Sequence, residues 1–361
     1  MNKLNIKKTF KFISCLFFLL FSQHQLIAAD ISKNNEFISV SSFKMPKVSS
    51  YWSDETKEGM FKQQKMMDAA FEICMPWHFN TQPEIRDCEN KIYPTIIKAA
   101  EAIYSVEVTP MTISGIEVDI VTPKEGLSVK NKSRVLINLH GGAFKFGSRY
   151  GGQLEAMPLA AIGKFKVVAV NYSKAPEHIY PQAVKDVVAV YQELLKQYDA
   201  QQVAIYGCSA GSRLTGEVVA WLHTKSIPLP GAIGLLCSPP TRLDGDSNYF
   251  AAAMKGQKPL TISNVEYWEG VSPTNPIAFP GESLEMLSIF PPSILMTSTR
   301  DYSLSPMVAM HQKLIKQGKT SELHIFEGFA HAEFLSMYIP EATHVANLLT
   351  AFFNEHLNNT N

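Results

Sequence analysis

The chain has 361 residues, of which 46% are hydrophobic, 11% aromatic and 18% charged, with 33 basic side chains against 33 acidic ones. That is too apolar for a disordered polypeptide, and long enough to bury one large core or two modest ones. Zero net charge offers no electrostatic footprint for nucleic acid, and no apolar run reaches the roughly 20 residues needed to span a bilayer.

At the N-terminus, Lys3, Lys7, Lys8 and Lys11 precede an apolar run at 12–21, and a polar stretch then ends in Ile27-Ala28-Ala29. This is the layout of a secretory signal peptide, with cleavage expected after Ala29 even though Ile27 departs from the small-x-small rule. Removing residues 1–29 takes away four lysines and no acid, leaving 29 basic against 33 acidic groups. The expectation is a mildly acidic, exported protein, periplasmic or extracellular, with no stable membrane insertion after cleavage. Cys15 leaves with the signal. Cys74, Cys88, Cys208 and Cys237 are too few for a disulfide scaffold. Cys74 and Cys88 flank a Pro-rich turn, where one bridge or two free thiols are both open. No Cys or His spacing suits zinc, and neither a metal nor a cofactor is expected.

Residues 30–50 are Ser- and Lys-rich without a period and read as a flexible leader. From 51 to 104 the period is helical, with Met60, Phe61, Met67, Ala70 and Phe71, then Ile92, Ile96, Ile97, Ala100 and Ile103 as core-facing stripes. Leader and helices together, 30–104, are expected to end in an N-terminal helical cap. At Val106 the period becomes that of strands. Runs at 105–113 and 116–122 are separated by Ser114-Gly115, a hairpin signal. Short apolar runs follow at 135–139, 167–170, 203–206, 232–236, 294–296 and 323–326, alternating with helical stretches such as 182–197 and 211–224. Alternating strand and helix predicts an α/β fold over 105–361, a mostly parallel sheet covered on both faces. Residues 241–285 break the rhythm and read as an insertion that completes the cap.

In such a sheet, ligands gather at the C-terminal ends of the strands. One run ends in Gly207-Cys208-Ser209-Ala210-Gly211 before a helix, the pattern G-x-S-x-G. A serine on so sharp a turn requires small neighbours two residues away on either side. Chance alone gives this pattern roughly 0.1 times in a chain of this size, so by itself it is weak. Another run ends in His140-Gly141-Gly142-Ala143-Phe144, where glycines let backbone N–H groups approach a developing oxyanion. The two motifs, each at a strand end and in this order, form a far more specific pair.

A serine nucleophile needs a base and the base an orienting acid, in the chain order Ser, Asp or Glu, His. Among the later histidines only His331 falls in a loop directly after a strand. His223, His311, His344 and His356 lie in helical patterns and His324 within a strand. Asp301 directly follows the run ending near 296–299, whereas Asp244 and Asp246 belong to the insertion and Glu327 is the rival acid. Arg213, just past the serine, is a candidate for a substrate carboxylate, against the plainer reading of a solvated charge.

Together with Asn171-Tyr172-Ser173-Lys174-Ala175-Pro176-Glu177-His178, these residues resemble the hormone-sensitive-lipase-like family of α/β-hydrolases. The resemblance implies an α/β-hydrolase fold with a helical cap, and cofactor-free hydrolysis of small, short-acyl carboxylic esters. It assigns Ser209 as nucleophile, His331 as base, Asp301 as its orienter, and the N–H groups of Gly142, Ala143 and Ala210 as the oxyanion hole. It also implies that Glu177 and His178 brace the oxyanion loop rather than form a second acid/base pair. Asp186 is read as a capping or packing acid. This chain departs from the pattern at Ala143, which narrows the space beside the hole. It departs again at Tyr302, in place of a proline, and at Ser305, in place of a second acid. The latter two bear on local loop shape only.

The same triad serves acyltransferases and glycan deacetylases, and the fold also hosts non-catalytic small-molecule-binding proteins. Those readings stand as alternatives to a carboxylesterase. The oligomeric state is not legible.

Overall fold

The computed structural model describes residues 44–74, 82–262 and 265–358. The expected signal peptide, the leader from 30 to 43 and most of the Pro-rich turn lie outside the described residues, as does the Cys74 side chain. A compact unit begins at Val48. Of the unit ending at Lys47, residues 44–47 are described and are exposed and irregular.

Two helices open the compact unit, α1 (Asp54–Cys74) and α2 (Gln82–Glu101). The hairpin β1 (Val106–Ile113) and β2 (Ile116–Pro123) follows, closing at Ser114-Gly115 where both residues have positive φ, 50° and 83°. Then β3 (Val135–Leu139), α3 (Ser148–Ala161), β4 (Lys166–Val170), α4 (Gln182–Leu194), β5 (Val203–Cys208), α5 (Ala210–Thr224) and β6 (Ala232–Leu236) alternate. After α6 (Asp246–Met254) and the short α7 (Leu284–Ser288), the pattern resumes with β7 (Ser293–Ser298), α8 (Leu304–Lys316), β8 (Ser321–Phe326) and α9 (Pro340–His356).

The eight strands form one sheet in the order β1-β2-β4-β3-β5-β6-β7-β8. The hairpin and the β2/β4 pair are antiparallel, and every pair from β4 to β8 is parallel. The period of two explains the layering. Val135, Ile137, Leu139, Val203 and Ile205 face a core beneath α4, α5 and α8, whereas Leu136, Ala204, Tyr206 and Cys208 face one beneath α3 and α9. Burying such side chains contributes roughly 1.5–3 kcal/mol each, so a strand apolar on both faces is stable only in the middle of the sheet. β3, β5, β6 and β7 are buried along their full length.

Two expectations are corrected. The flexible leader stops short of residue 50: Ser49 is buried, and its hydroxyl donates to Glu327 at 3.3 Å. β5 runs two residues past Tyr206, because Gly207 and Cys208 still pair with β6. Within the insertion, Tyr267, Trp268 and Phe279 are buried in the core. Tyr267 lies flat against Phe144, centroids 3.8 Å apart, and Trp268 packs edge-on to both rings.

Candidate active site

Ser209 follows β5 at once and precedes α5, so the chain must reverse from strand to helix in one residue. It does so with φ 55° and ψ −115°, a sparsely populated conformation for a residue with a Cβ. Close packing enforces the turn. A Cβ at Gly207 would sit 2.2 Å from the Leu139 carbonyl oxygen, and one at Gly211 only 1.6 Å from it. The Ser209 amide donates to the Leu236 carbonyl at 2.8 Å, fixing the turn to the neighbouring strand.

The ends of β7 and β8 are laced together, which brings two distant residues to this turn. Thr299 N–H donates to the Phe326 carbonyl at 3.0 Å, Arg300 N–H to Phe329 at 3.2 Å, and Gly328 N–H to the Thr299 hydroxyl at 2.8 Å. His331 Nδ1 then lies 2.9 Å from Asp301 Oδ1, and its Nε2 lies 2.8 Å from Ser209 Oγ. Asp301 is buried and also accepts the Ser303 amide at 2.9 Å, which locks its carboxylate. Glu327, the rival acid, is exposed and faces away: it accepts from Ser49, and its carbonyl accepts Trp52 Nε1–H at 2.8 Å. Trp52 also stacks on Phe329, so the segment before α1 buttresses the His331 loop.

Gly141 brings the oxyanion loop against the serine; a Cβ there would lie 3.4 Å from the Ser209 Cβ. Gly142, Ala143 and Phe144 have φ of 116°, 53° and 61°, so the loop turns its amides to one side. Among the described residues, the N–H groups of Gly142, Ala143 and Ala210 have no acceptor. From behind, Glu155 of α3 accepts the Gly141 amide at 2.8 Å and the Cys208 amide at 3.3 Å. Burial pushes this carboxyl up to about 7, against the pull of its N–H donors. Glu89 of α2 accepts the Gly147 amide at 2.9 Å, from the other end of the loop.

The segment after β4 braces the same loop, through other residues than expected. The Tyr172 hydroxyl donates to the His140 carbonyl at 2.6 Å and the Ala175 amide to the Phe144 carbonyl at 2.8 Å. Glu177 instead pairs with Arg86 of α2 through both carboxylate oxygens, and it and His178 are exposed. Asp186 is a packing acid within α4, accepting the Ser173 amide at 2.8 Å. The solvated reading of Arg213 is overturned. It is buried, stacked 4.6 Å over Trp268, and donates to the Thr241 carbonyl and the Ser238 hydroxyl. Those contacts join it to the insertion, and burial lowers the guanidinium to about 10. Glu217, one helical turn on, accepts from Trp268 and Tyr267 and is pushed by burial up to about 8.

Two site residues escaped sequence reasoning. Glu155 sits in an ordinary helical pattern with no local signal. Tyr302 was legible as a departure but not as a participant. Its ring stacks on His331, centroids 4.4 Å apart, and its hydroxyl lies 3.2 Å from Nε2. Ser305 exchanges hydrogen bonds with Ser247, in the insertion. Of the cysteines, Cys88 is disulfide-bonded, while Cys208 and Cys237 are free and buried with their sulfurs 2.9 Å apart. No group of acids, histidines and cysteines fit to hold a metal occurs among the described residues, and none of their helices is long and apolar enough to cross a membrane.

A profile of the alpha/beta hydrolase fold matches residues 136–335, more than half of the chain. LipR of Mycobacterium tuberculosis is 34% identical over 144 residues, 40% of this chain and 46% of its own length, so the match spans about half of that relative. An acetyl-hydrolase of Streptomyces hygroscopicus is 27% identical over 230 residues, covering 61% of this chain and 74% of that one. Among solved structures, the esterase E25 superposes with a TM-score of 0.75 at 29% identity, over 90% of this chain and all of that one. With its sheet, its elbow at Ser209 and its glycine loop at 141–142, the chain belongs to the alpha/beta hydrolase fold family.

Proposed function

We propose that this protein is a serine hydrolase of carboxylic esters, acting on small substrates with short acyl groups, exported after cleavage at Ala29. The observation that carries the reading is the continuous line from Asp301 through His331 to the Ser209 hydroxyl, at 2.9 and 2.8 Å, beside a loop whose Gly142 and Ala143 amides have no acceptor among the described residues. Ester hydrolysis is also the activity carried in the names of the relatives, and the short acyl group follows the Streptomyces acetyl-hydrolase.

The chemistry follows from the arrangement. Ser209 Oγ attacks the ester carbonyl while His331 Nε2 takes its proton, and Asp301 holds the ring by its Nδ1–H and stabilises the imidazolium. The amides of Gly142, Ala143 and Ala210 receive the tetrahedral oxyanion. Collapse expels the alcohol, which takes the proton from Nε2. Water then attacks the acyl-enzyme by the same route in reverse, freeing the acid and restoring Ser209. A neutral imidazole is the base at both attacks.

The test is labelling of the protein beginning at Asp30 with a fluorophosphonate, mapping the modified residue by mass spectrometry, beside turnover of p-nitrophenyl esters from acetate to decanoate. Labelling at Ser209 with turnover that declines as the acyl chain lengthens is the expected outcome. Labelling without turnover would move the reading to acyl transfer, and no labelling would favour a binding protein on this fold. Export is tested separately, by whether protein recovered outside the cytoplasm begins at Asp30.

A further inference from the structure

The hydroxyl of Tyr302 is a polar atom at the reacting centre that the triad mechanism does not use. It lies 3.2 Å from His331 Nε2, the atom that moves the proton and that also meets the Ser209 hydroxyl at 2.8 Å. The side chain is held there from three directions. Its ring stacks on the His331 imidazole at an interplanar angle of 28°, its carbonyl accepts the Ser247 hydroxyl at 2.8 Å, and its neighbours Asp301 and Ser303 are fully buried.

The imidazole has a single lone pair at Nε2, and Ser209, at 2.8 Å, already donates into it. The Tyr302 hydroxyl is therefore not needed to hold the resting histidine, and its own proton is available to a neighbouring oxygen. An oxygen that receives the proton from Nε2 must come within hydrogen-bond reach of that nitrogen, and so it arrives beside Tyr302. Two such oxygens visit in turn, the alcohol oxygen leaving in acylation and the water oxygen attacking in deacylation.

We infer that the Tyr302 hydroxyl is a catalytic hydrogen-bonding group that holds the departing alcohol oxygen, and afterwards the attacking water, at His331 Nε2. As the C–O bond of the tetrahedral intermediate breaks, its electron pair stays on the alcohol oxygen. That oxygen takes the proton from Nε2 while Tyr302 donates a hydrogen bond to it and keeps its own proton. In deacylation the water gives one proton to Nε2 and directs the other at the phenol oxygen. Burial, reinforced by the neighbouring Asp301 carboxylate, holds the phenol above its ordinary range, consistent with a donor that stays protonated throughout. The inference rests on the ester-hydrolase reading and adds to it a residue that binds the leaving group.

Tyr302→Phe tests it, because it keeps the stacked ring and removes one oxygen. The discriminating readout is kcat/KM on two acetates that differ only in the leaving group. Ethoxide is a poor leaving group and needs a donor, whereas p-nitrophenoxide departs with little help. The expected result is a loss of at least ~10-fold on ethyl acetate against a change within about threefold on p-nitrophenyl acetate, with fluorophosphonate labelling of Ser209 retained. Equal losses on both esters, or none on either, would overturn the role in leaving-group binding. So would a variant that is no longer labelled, since the hydroxyl would then serve to assemble the serine and histidine. Failure of the wild-type protein to turn over either ester is a different result, which removes the hydrolase reading and this inference with it.

Discussion

Glu155 Oε1 accepts the amide hydrogen of Gly141 at 2.8 Å, and the same carboxylate reaches the Cys208 amide at 3.3 Å. One side chain on α3 thus ties the oxyanion loop to the residue immediately before Ser209. The carboxyl stands at about 7 in the folded protein against 4.5 for its ordinary value, so between those two values the folded state holds the proton more firmly than the unfolded chain does. A state that binds more protons loses stability as pH rises, so this group lowers stability progressively from about pH 4.5 to about pH 7 and adds no further slope above that. Glu217 acts in the same direction up to about pH 8. Replacing Glu155 by Gln removes one titration, and its amide NH₂ faces other N–H donors at a cost of ~1–3 kcal/mol. The expected outcome is a lower urea midpoint at pH 5 and a flatter decline between pH 5 and pH 7 than in the wild type. An unchanged pH slope would show that another group titrates there.

Replacement of the three aligned side chains should give graded losses. Ser209→Ala removes the attacking atom and is expected to lower kcat by ~10⁶, while Asp301→Asn, which leaves the imidazole in the wrong tautomer, costs ~10⁴. Glu327→Gln is the informative control. Its carboxylate is exposed and accepts only from Ser49 among the described residues, so kcat should stay within about twofold of wild type. Steady-state rates on p-nitrophenyl acetate decide the matter. A large loss in Glu327→Gln with Asp301→Asn active would exchange the two assignments.

How far the sequence could be read depended on the range over which each signal acts. The strands were legible because a short apolar run such as 135–139 or 203–206 is a local signal that reports directly on burial. The meeting of Ser209, Asp301 and His331 was legible because each follows a strand end and parallel strands bring such ends to one edge. Glu155 was not, since its partners Gly141 and Cys208 lie 14 and 53 residues away and nothing around it in α3 marks it. Arg213 misled for a related reason. A cation near a helix start is usually solvated, and only the insertion folding back places Trp268 and the Thr241 carbonyl on it. Tyr302 was visible as an unusual residue after the acid, but its contact with His331 arises from the loop after β7 packing on the loop after β8.

The buried position of Arg213 makes it a fastener for the insertion. Its guanidinium supplies the donor for the Thr241 carbonyl and a cation for the face of Trp268. Arg213→Met keeps much of the stem but leaves that carbonyl without its charged donor, at an expected cost of ~2 kcal/mol in denaturant unfolding. Arg213→Lys should recover little, because an ammonium cannot stack on Trp268 and reach both Thr241 and Ser238. Limited proteolysis should then cut first within 241–285. A variant with wild-type stability and an unchanged cleavage pattern would show that the insertion is held by its aromatics alone.

Ala143 carries a methyl group where the backbone has φ 53°, in an exposed position of the loop that lies against Ser209. A left-handed conformation costs a residue with a Cβ roughly 1–2 kcal/mol relative to glycine, whereas glycine loses about 0.5–1 kcal/mol through the greater freedom of its unfolded chain. The two effects oppose each other, so Ala143→Gly should change stability by no more than about 1 kcal/mol, with a slight gain favoured. Its effect on activity should be larger and selective. The amide at 143 is retained, so the oxyanion contact persists and kcat/KM on p-nitrophenyl acetate should move less than about threefold. The space once filled by the methyl opens beside the reacting carbonyl, so esters of branched or tertiary alcohols should gain several-fold over acetates of primary alcohols. A uniform fall across all esters would mean that the methyl holds the loop in shape, and equal rates for every alcohol would mean that it does not border the substrate.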